Sequence, residues 1–158
     1  MTSTHVLIFS FSIGVLGGLR CLTPPASTAW ATHLGWLKLA SPLGWLGSWP
    51  AVILFTLAAV GELIGDKLPS APNRTAVPGL VGRILLGGLC GAAITMAGTH
   101  DGWLIGALAG AVGGIIGSFG GLQARTRLVK ALRTPDFVVA VAEDLVAIGG
   151  SLWIVSRF

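Results

Sequence analysis

Charge is scarce in this chain. Asp, Glu, Lys and Arg make up 10% of its 158 residues, against 53% hydrophobic residues and a mean hydropathy of +0.84. A soluble domain carries about 25% charged residues, so this composition lacks the polar surface to cover a globule in water, and a soluble enzyme is excluded as the starting class. Cysteine is scarcer still: Cys21 and Cys90 lie in different apolar segments without CxxC spacing. That leaves neither a disulfide framework nor a metal cage and reads as two small buried hydrophobes. No Lys or Arg precedes the apolar core of the N-terminal MTSTHVLIFSFSIGVLGGLRC, and no small-x-small cleavage pattern follows it. The segment therefore reads as a first membrane helix rather than a removed signal peptide.

Catalytic signatures are missing as well. The sequence has no nucleophile elbow, P-loop, dinucleotide fingerprint or HExxH. Its glycine-rich stretches run inside apolar helices rather than from a strand into a helix, so they cannot cradle phosphates. His5, His33 and His100 are scattered at predicted boundaries with no second ligand at metal spacing. The reading is no enzyme, no catalytic residue, no metal and no cofactor. The net charge of +4 does not mark a nucleic-acid binder either, because the basic residues sit at the ends of apolar runs and not on one polar face.

What the chain has is apolar length. Five runs emerge, at about Val6 to Cys21, Ala51 to Gly65, Leu80 to Ala97, Trp103 to Leu122 and Phe137 to Val155. About 20 apolar residues span a bilayer as a helix, so each run with its flanks and some tilt is long enough. Pro24 to Pro50 is interrupted by His33, Lys38 and Pro42 and holds Trp30, Trp36, Trp45 and Trp49, which predicts an interfacial or re-entrant helix, with a sixth span as the alternative. On a five-helix path, Lys67, Arg74, Arg83, Arg125, Arg127, Lys130 and Arg133 fall on one side, and Arg20, Lys38 and Arg157 on the other. The positive-inside rule then places the N-terminus in the cytoplasm and the C-terminus outside, in a bacterial inner membrane.

An internal repeat organises these runs. Gly14-Val-Leu-Gly-Gly-Leu-Arg-Cys-Leu-Thr23 aligns without gaps to Gly117-Ser-Phe-Gly-Gly-Leu-Gln-Ala-Arg-Thr126, and Ala59-Val60-Gly61-Glu62 to Ala140-Val141-Ala142-Glu143. One unmatched helix lies between the halves, so equivalent helices would cross in opposite directions, the inverted-repeat arrangement of many transporters. The expected fold is all-α: a single transmembrane domain over 1–158, with repeat one at about 6–67, a connector helix at about 80–98 and repeat two at about 103–156.

Carboxylates inside such helices are the candidate site. Glu62 and Asp66 are four apart and share a helix face, and Glu143 and Asp144 lie within the last run. A charged group at the centre of a membrane helix costs about 3 kcal/mol on insertion scales, so it faces a cavity, a partner or a proton. Arg20, Lys67 and Arg83 are the candidate counter-ions. Gly106, Gly110, Gly114, Gly117 and Gly121 recur every three or four residues and give one helix a smooth face for close packing, with Gly87 and Gly91 a shorter version on the helix before.

With GLRCLTPPA, GELIGDKLP, GRILLGGLCGA and GGIIGSFGGLQAR in this order, the chain resembles the bacterial membrane-protein family DUF4126, a domain of unknown function. The likeness covers nearly the whole chain, its most distinctive element being the acid-x-x-x-Asp-Lys-x-Pro run from Glu62 to Pro69. It implies a small multi-helix membrane protein and no established activity. A weaker likeness is to cation/proton exchangers bearing Glu-x-Gly-Asp-Lys/Arg-Thr/Ser on inverted repeats. Glu62-Leu-Ile-Gly-Asp66-Lys67-Leu departs from that motif by one inserted residue and lacks the final hydroxyl, and the second half has Glu143-Asp144 without Gly-Asp-Lys, so no cation-site residue is carried over.

These features predict a small transporter or permease in which Glu62 and Glu143 bind a proton or cation between the second and fifth runs. Its partners would be the lipid bilayer, an unknown small solute or ion, and further copies of itself. The alternative is a non-transporting scaffold whose glycine faces are the functional surface and whose acids only pair with Arg20, Arg83 or Lys67. A third reading, a lipid-headgroup binder, would use the basic segment Arg125 to Arg133.

Overall fold

Apolar residues on every side of a helix leave it no polar face to turn to water, and the chain answers with helices throughout. The computed structural model describes residues 2–66, 76–99, 102–133 and 135–158. Helix α1 spans Ser3–Leu19, α2 Thr23–His33, α3 Trp49–Gly65, α4 Val77–Thr99, α5 Trp103–Leu132 and α6 Asp136–Val155, with a 3-10 turn at Gly44–Gly47. No strand occurs among the described residues. Helices α4, α5 and α6 are long and apolar enough to cross a membrane, while α1 and α3 are apolar but only 17 residues each. The chain is an all-helical membrane protein.

Local sequence explains where helices begin. Thr23-Pro24-Pro25 occupies the first turn of α2, where backbone N–H groups have no intrahelical acceptor and proline loses nothing. Ser48 caps α3, its Oγ accepting from the Ala51 N–H at 3.4 Å, and Pro50 again fills the first turn. Helix α5 runs ten residues past the apolar run. At about 1.5 Å per residue it outreaches a hydrocarbon core of about 30 Å, so the end bearing Arg125, Arg127 and Lys130 projects beyond that layer.

Of the two forms expected for the segment from Pro24 to Pro50, interfacial or re-entrant, the structure has the character of the second. Helix α2 buries Thr23, Pro24, Pro25, Ser27, Thr28, Ala29 and Ala31, and packs against α1, α3, α4 and α6. Its 11 residues reach about 16 Å, half a bilayer, so it is a short interior return rather than an interfacial helix. It leads from the end of α1 back to Trp30, whose Nε1 donates to Thr56 Oγ1 at 3.0 Å and whose ring meets that of Trp49. That reversal changes the direction of everything after it.

Three helices form the tight centre. Ser10 and Gly14 of α1 lie against Gly91 and Gly87 of α4, and Gly87 and Gly91 of α4 lie against Gly110 and Gly106 of α5, so α4 is antiparallel to both neighbours. Gly14 faces Gly110 and Gly18 faces Gly114 and Ser118, which makes α1 and α5 parallel. The expected inversion required both matched pairs to cross oppositely; α1 and α5 do not, because α2 supplies an extra reversal, whereas α3 ends and α6 begins at the Arg20 end, so that pair does run in opposite directions. The region 80–98, expected to be a connector, is instead the middle of the core. Backbones approach so closely that a Cβ on Gly110 would run into the Gly87 carbonyl and one on Gly91 into the Gly106 carbonyl. Ser10 ties the same interface, its Oγ lying 3.1 Å from Gly91 O and 2.8 Å from Thr95 Oγ1.

Both termini consequently lie at one end. Phe9 of α1 packs edge-on against Phe158, with ring centroids 6.0 Å apart, and against Trp153, at 5.6 Å. The expectation of termini on opposite faces fails for the same reason as the inversion. Trp49 and Trp103 open α3 and α5 at this end, with Trp153 near the close of α6, as an aromatic belt would. Arg20, Arg83, Arg125, Arg127 and Lys130 all belong to the other end. Lys67, Arg74 and His100 lie outside the described residues.

Two outcomes follow. Gly110→Ala and Gly91→Ala should each destabilise the purified protein by at least about 1–3 kcal/mol through forced backbone separation, while Gly61→Ala and Gly149→Ala, which meet nothing within 4 Å, should be near neutral in the same thermal unfolding assay. Membrane-impermeant labelling of tags placed before Ser3 and after Phe158 should modify both from one side of the membrane.

Candidate functional site

The break between α1 and α2 places a guanidinium where apolar chain would otherwise be. Arg20 caps α1 in an extended conformation and is 1% exposed. A buried guanidinium needs carboxylates, and the surrounding helices supply them. Arg20 Nη1 is paired with Asp66 Oδ2 at the end of α3. Its Nη2 lies 2.6 Å from Asp144 Oδ1 and 3.9 Å from Glu143 Oε2, both on α6. One side chain thus joins three helices.

A second guanidinium completes the cluster from α5. Arg125 Nη1 is 3.6 Å from Asp66 Oδ2 and 3.6 Å from Glu143 Oε2, so Asp66 and Glu143 are each shared between two arginines. Its other edge grips Asp136, at 2.8 Å from Nε and 2.5 Å from Nη2, a two-point contact that fixes the turn between α5 and α6. Arg125 is half of the cationic frame, yet as part of a basic segment it read as a topology signal. The available clue is spacing: Arg125 lies four residues after Gly121, on the extension of the glycine face.

Glu62 does something different. Its Oε1 accepts from the Cys21 N–H at 2.7 Å and its Oε2 from the Leu22 N–H at 2.8 Å. Those amides precede α2, whose start has no side-chain cap of its own. Glu62 thus supplies from α3 the anionic acceptor that an unpaired helix start requires. The four-residue spacing of Glu62 and Asp66 has a clear geometric outcome: one carboxylate holds the start of α2 and the other holds Arg20 at the end of α1. Arg83, 6% exposed on α4, stands near the same break, where Cys21 feels the charges of both Glu62 and Arg83.

Glu143 borders an apolar cleft of about 200 Å³ between α5 and α6, lined with Arg125, Leu128, Val139 and Val146, and Glu62 is not among its lining residues. Instead Asp66, Glu143 and Asp144 converge on Arg20 and Arg125. Lys67, the third candidate counter-ion, lies outside the described residues. Gly106, Gly110, Gly114 and Gly117 face α1 and α4, while Gly121 faces Leu19 and has Glu143 Oε1 3.4 Å from where its Cβ would stand. Among the described residues no group of three or more His, Cys, Asp or Glu side chains is arranged to hold a metal ion.

Attachment of α3 differs from that of the core helices. It packs along α2 and against the 3-10 turn, and reaches the α1, α5 and α6 side of the molecule through the Asp66 ion pairs. Much of its outer surface is bare, with Leu54 63%, Leu57 68% and Ile64 61% exposed, as a lipid-facing helix would be.

Glu62→Gln should lower thermal stability by about 1–3 kcal/mol, because an amide offers one acceptor oxygen where two backbone N–H groups need one each. Arg20→Met should cost more, about 3–5 kcal/mol, since it strands buried carboxylates on both α3 and α6, and the double change Arg20→Met with Asp144→Asn should recover part of the loss. Thermal unfolding of the three purified variants at neutral pH measures both.

A family model described as a domain of unknown function (DUF4126) matches residues 7–156. No curated protein and no solved structure matches the chain.

Proposed function

The chain belongs to the domain-of-unknown-function family DUF4126, a description that carries no activity, and from the charge cluster we propose that it is a small proton-coupled permease in which α3 moves against a rigid glycine core. The carrying observation is the Arg20 cluster. Among the described residues, Asp66, Glu143 and Asp144 converge on Arg20 and Arg125 within an otherwise apolar helix bundle, with Arg125 also holding Asp136. A carboxylate shared between two guanidiniums, as Asp66 is, is a group whose protonation would loosen the cluster. The guanidiniums already occupy the space between Asp66, Glu143 and Asp144, which favours a proton over a metal ion as the coupling species.

Asp66 is the coupling residue in this reading. Ionised, it binds α3 to Arg20 and Arg125; protonated, it loses most of that attraction, and α3 is left with the Glu62 hydrogen bonds and its packing on α2 and the 3-10 turn. Glu62 stays a structural acceptor. Because Arg20, Arg83, Arg125, Arg127 and Lys130 share one end and Lys38 and Arg157 the other, the positive-inside rule puts the cluster at the cytoplasmic face and both termini outside.

One observation favours the scaffold reading: the acids are held in ion pairs, and the α1–α4–α5 interface is closed by backbone contact. Spin labels at Leu57→Cys and Leu145→Cys, both lipid-exposed, in a Cys21→Ser, Cys90→Ala background separate the two. Lowering the pH until the Asp66 carboxylate takes up a proton should change the α3–α6 distance in the wild-type background. Asp66→Asn should hold the low-pH distance at every pH. A distance independent of pH in both proteins rejects the permease and leaves the scaffold.

A further inference from the structure

The basic segment that ends α5 divides in two. Arg125 turns inward to Asp66, Glu143 and Asp136, whereas Arg127, Lys130 and Arg133 are exposed and stand in no ion pair among the described residues. At about 100° per residue, Gln123, Thr126, Arg127 and Lys130 share one side of the helix, and Ala124, Leu128, Ala131 and Leu132 the other. Arg133 follows as the cap. No acid occurs between Gln123 and Arg133. The next one along, Asp136, is gripped at two points by Arg125, and Glu143 and Asp144 are buried in the cluster.

The depth of this face is that of lipid headgroups. About 20 residues cross the hydrocarbon, so a helix entering at Trp103 leaves it near Leu122, and at about 1.5 Å per residue Arg127 and Lys130 stand roughly 8–12 Å further on. Headgroups fill about 5–8 Å on each side, within reach of long side chains that bend back and of a tilted helix. Apolar side chains accompany the charges: Leu128, Leu132, Phe137 and Val138 are all exposed, and Leu128 also lines the apolar cleft between α5 and α6. The end of α5 carries about half a negative elementary charge, which three whole positive charges outweigh and the N-terminus of α6 at Asp136 offsets.

We propose that this end of α5 binds anionic phospholipids, their phosphates on Arg127, Lys130 and Arg133 and the upper parts of their acyl chains against Leu128 and Leu132. A zwitterionic lipid brings its own cation beside the phosphate and gains little from the three bases. An anionic headgroup is uncompensated, and each Lys or Arg close to such a surface contributes about fivefold in affinity. A nucleic acid or an acidic protein would match the charges but leave the exposed leucines uncovered. Neither Arg125 nor any movement of α3 takes part, so this surface is independent of the permease reading.

A bimane fluorophore on Ala131→Cys, in a Cys21→Ser, Cys90→Ala background, reports which lipid lies beside this face. The quenchers are phosphatidylglycerol and phosphatidylcholine bearing a nitroxide near the top of one acyl chain, each diluted into vesicles of unlabelled phosphatidylcholine. Phosphatidylglycerol should reach half-quenching at a mole fraction at least about fivefold lower, and high salt should narrow the gap. Arg127→Gln, Lys130→Gln and Arg133→Gln together should make the two lipids equal. Arg127→Lys with Arg133→Lys, which keeps the charges, should retain the preference, and Lys38→Gln with Arg157→Gln at the other end should leave it unchanged. Because the three side chains are exposed and outside every ion pair, the unfolding midpoints of these variants in phosphatidylcholine should match that of the parent. A preference absent from the parent, surviving in the triple Gln variant, or displaced by glycerol phosphate added to the buffer would overturn the assignment. So would retention on an immobilised acidic polymer through the same three residues without any lipid preference, which would give the surface to a soluble polyanion.

Discussion

A guanidinium buried at a helix break is the constraint from which the arrangement of this protein follows. Arg20 is 1% exposed and sits where α1 has ended and α2 has not begun, so it cannot reach water and must be neutralised in place. Asp66 does so from the end of α3 and Asp144 from within α6. The position of α3 along the bundle is therefore set by charge, and that of α6 partly so. Glu62 repeats the logic for the backbone itself, since the two amides it binds belong to the same break. The repeat-like string Gly-Gly-Leu-Arg is the local origin of all this: glycines bring α1 against α5, and the arginine then lands inside the cluster.

Helix existence was legible because a run of apolar residues with few breaks has one solution in a bilayer, and each of the five runs is a helix. The path between them was not. Hydropathy weighs α2 as too short and too interrupted to cross, and leaves an interfacial and a re-entrant course open. In the folded chain its small side chains, Ala29 and Ala31 among them, are buried by neighbours four helices away in sequence terms, something a window of residues cannot register. One reversal missed there inverted the inferred direction of α3 onward relative to α1. It also put Arg20 on the wrong side of the basic-residue count.

The candidate site shows the same division. Glu62, Asp66, Glu143 and Asp144 stood out because carboxylates in apolar helices are costly. Their roles depended on distance rather than type. Glu62 and Glu143 occupy matching places in two similar strings, yet one binds backbone amides and the other lies near two arginines. Arg125 was hidden by company: with Arg127, Lys130 and Arg133 nearby, it resembled a solvated segment, although its own side chain is only 14% exposed.

Two kinds of attachment now coexist in one small bundle. Contacts between glycine backbones in α1, α4 and α5 are short-ranged and insensitive to pH, and any separation forfeits them at once. Ion pairs to Asp66 act over longer distances and vanish when one proton is added. A structure built from both has a part that cannot shift and a part whose hold can be switched, and the boundary between them runs along α2. The Asp66 pairs reach α3 from Arg20 and Arg125 and so lie on the switchable side, while the Ser10, Gly87 and Gly110 contacts lie on the fixed one. If α3 moves when Asp66 is neutralised, it moves against helices whose own spacing cannot change, which is why a charge cluster at one end of the bundle and a glycine core beside it belong to a single device.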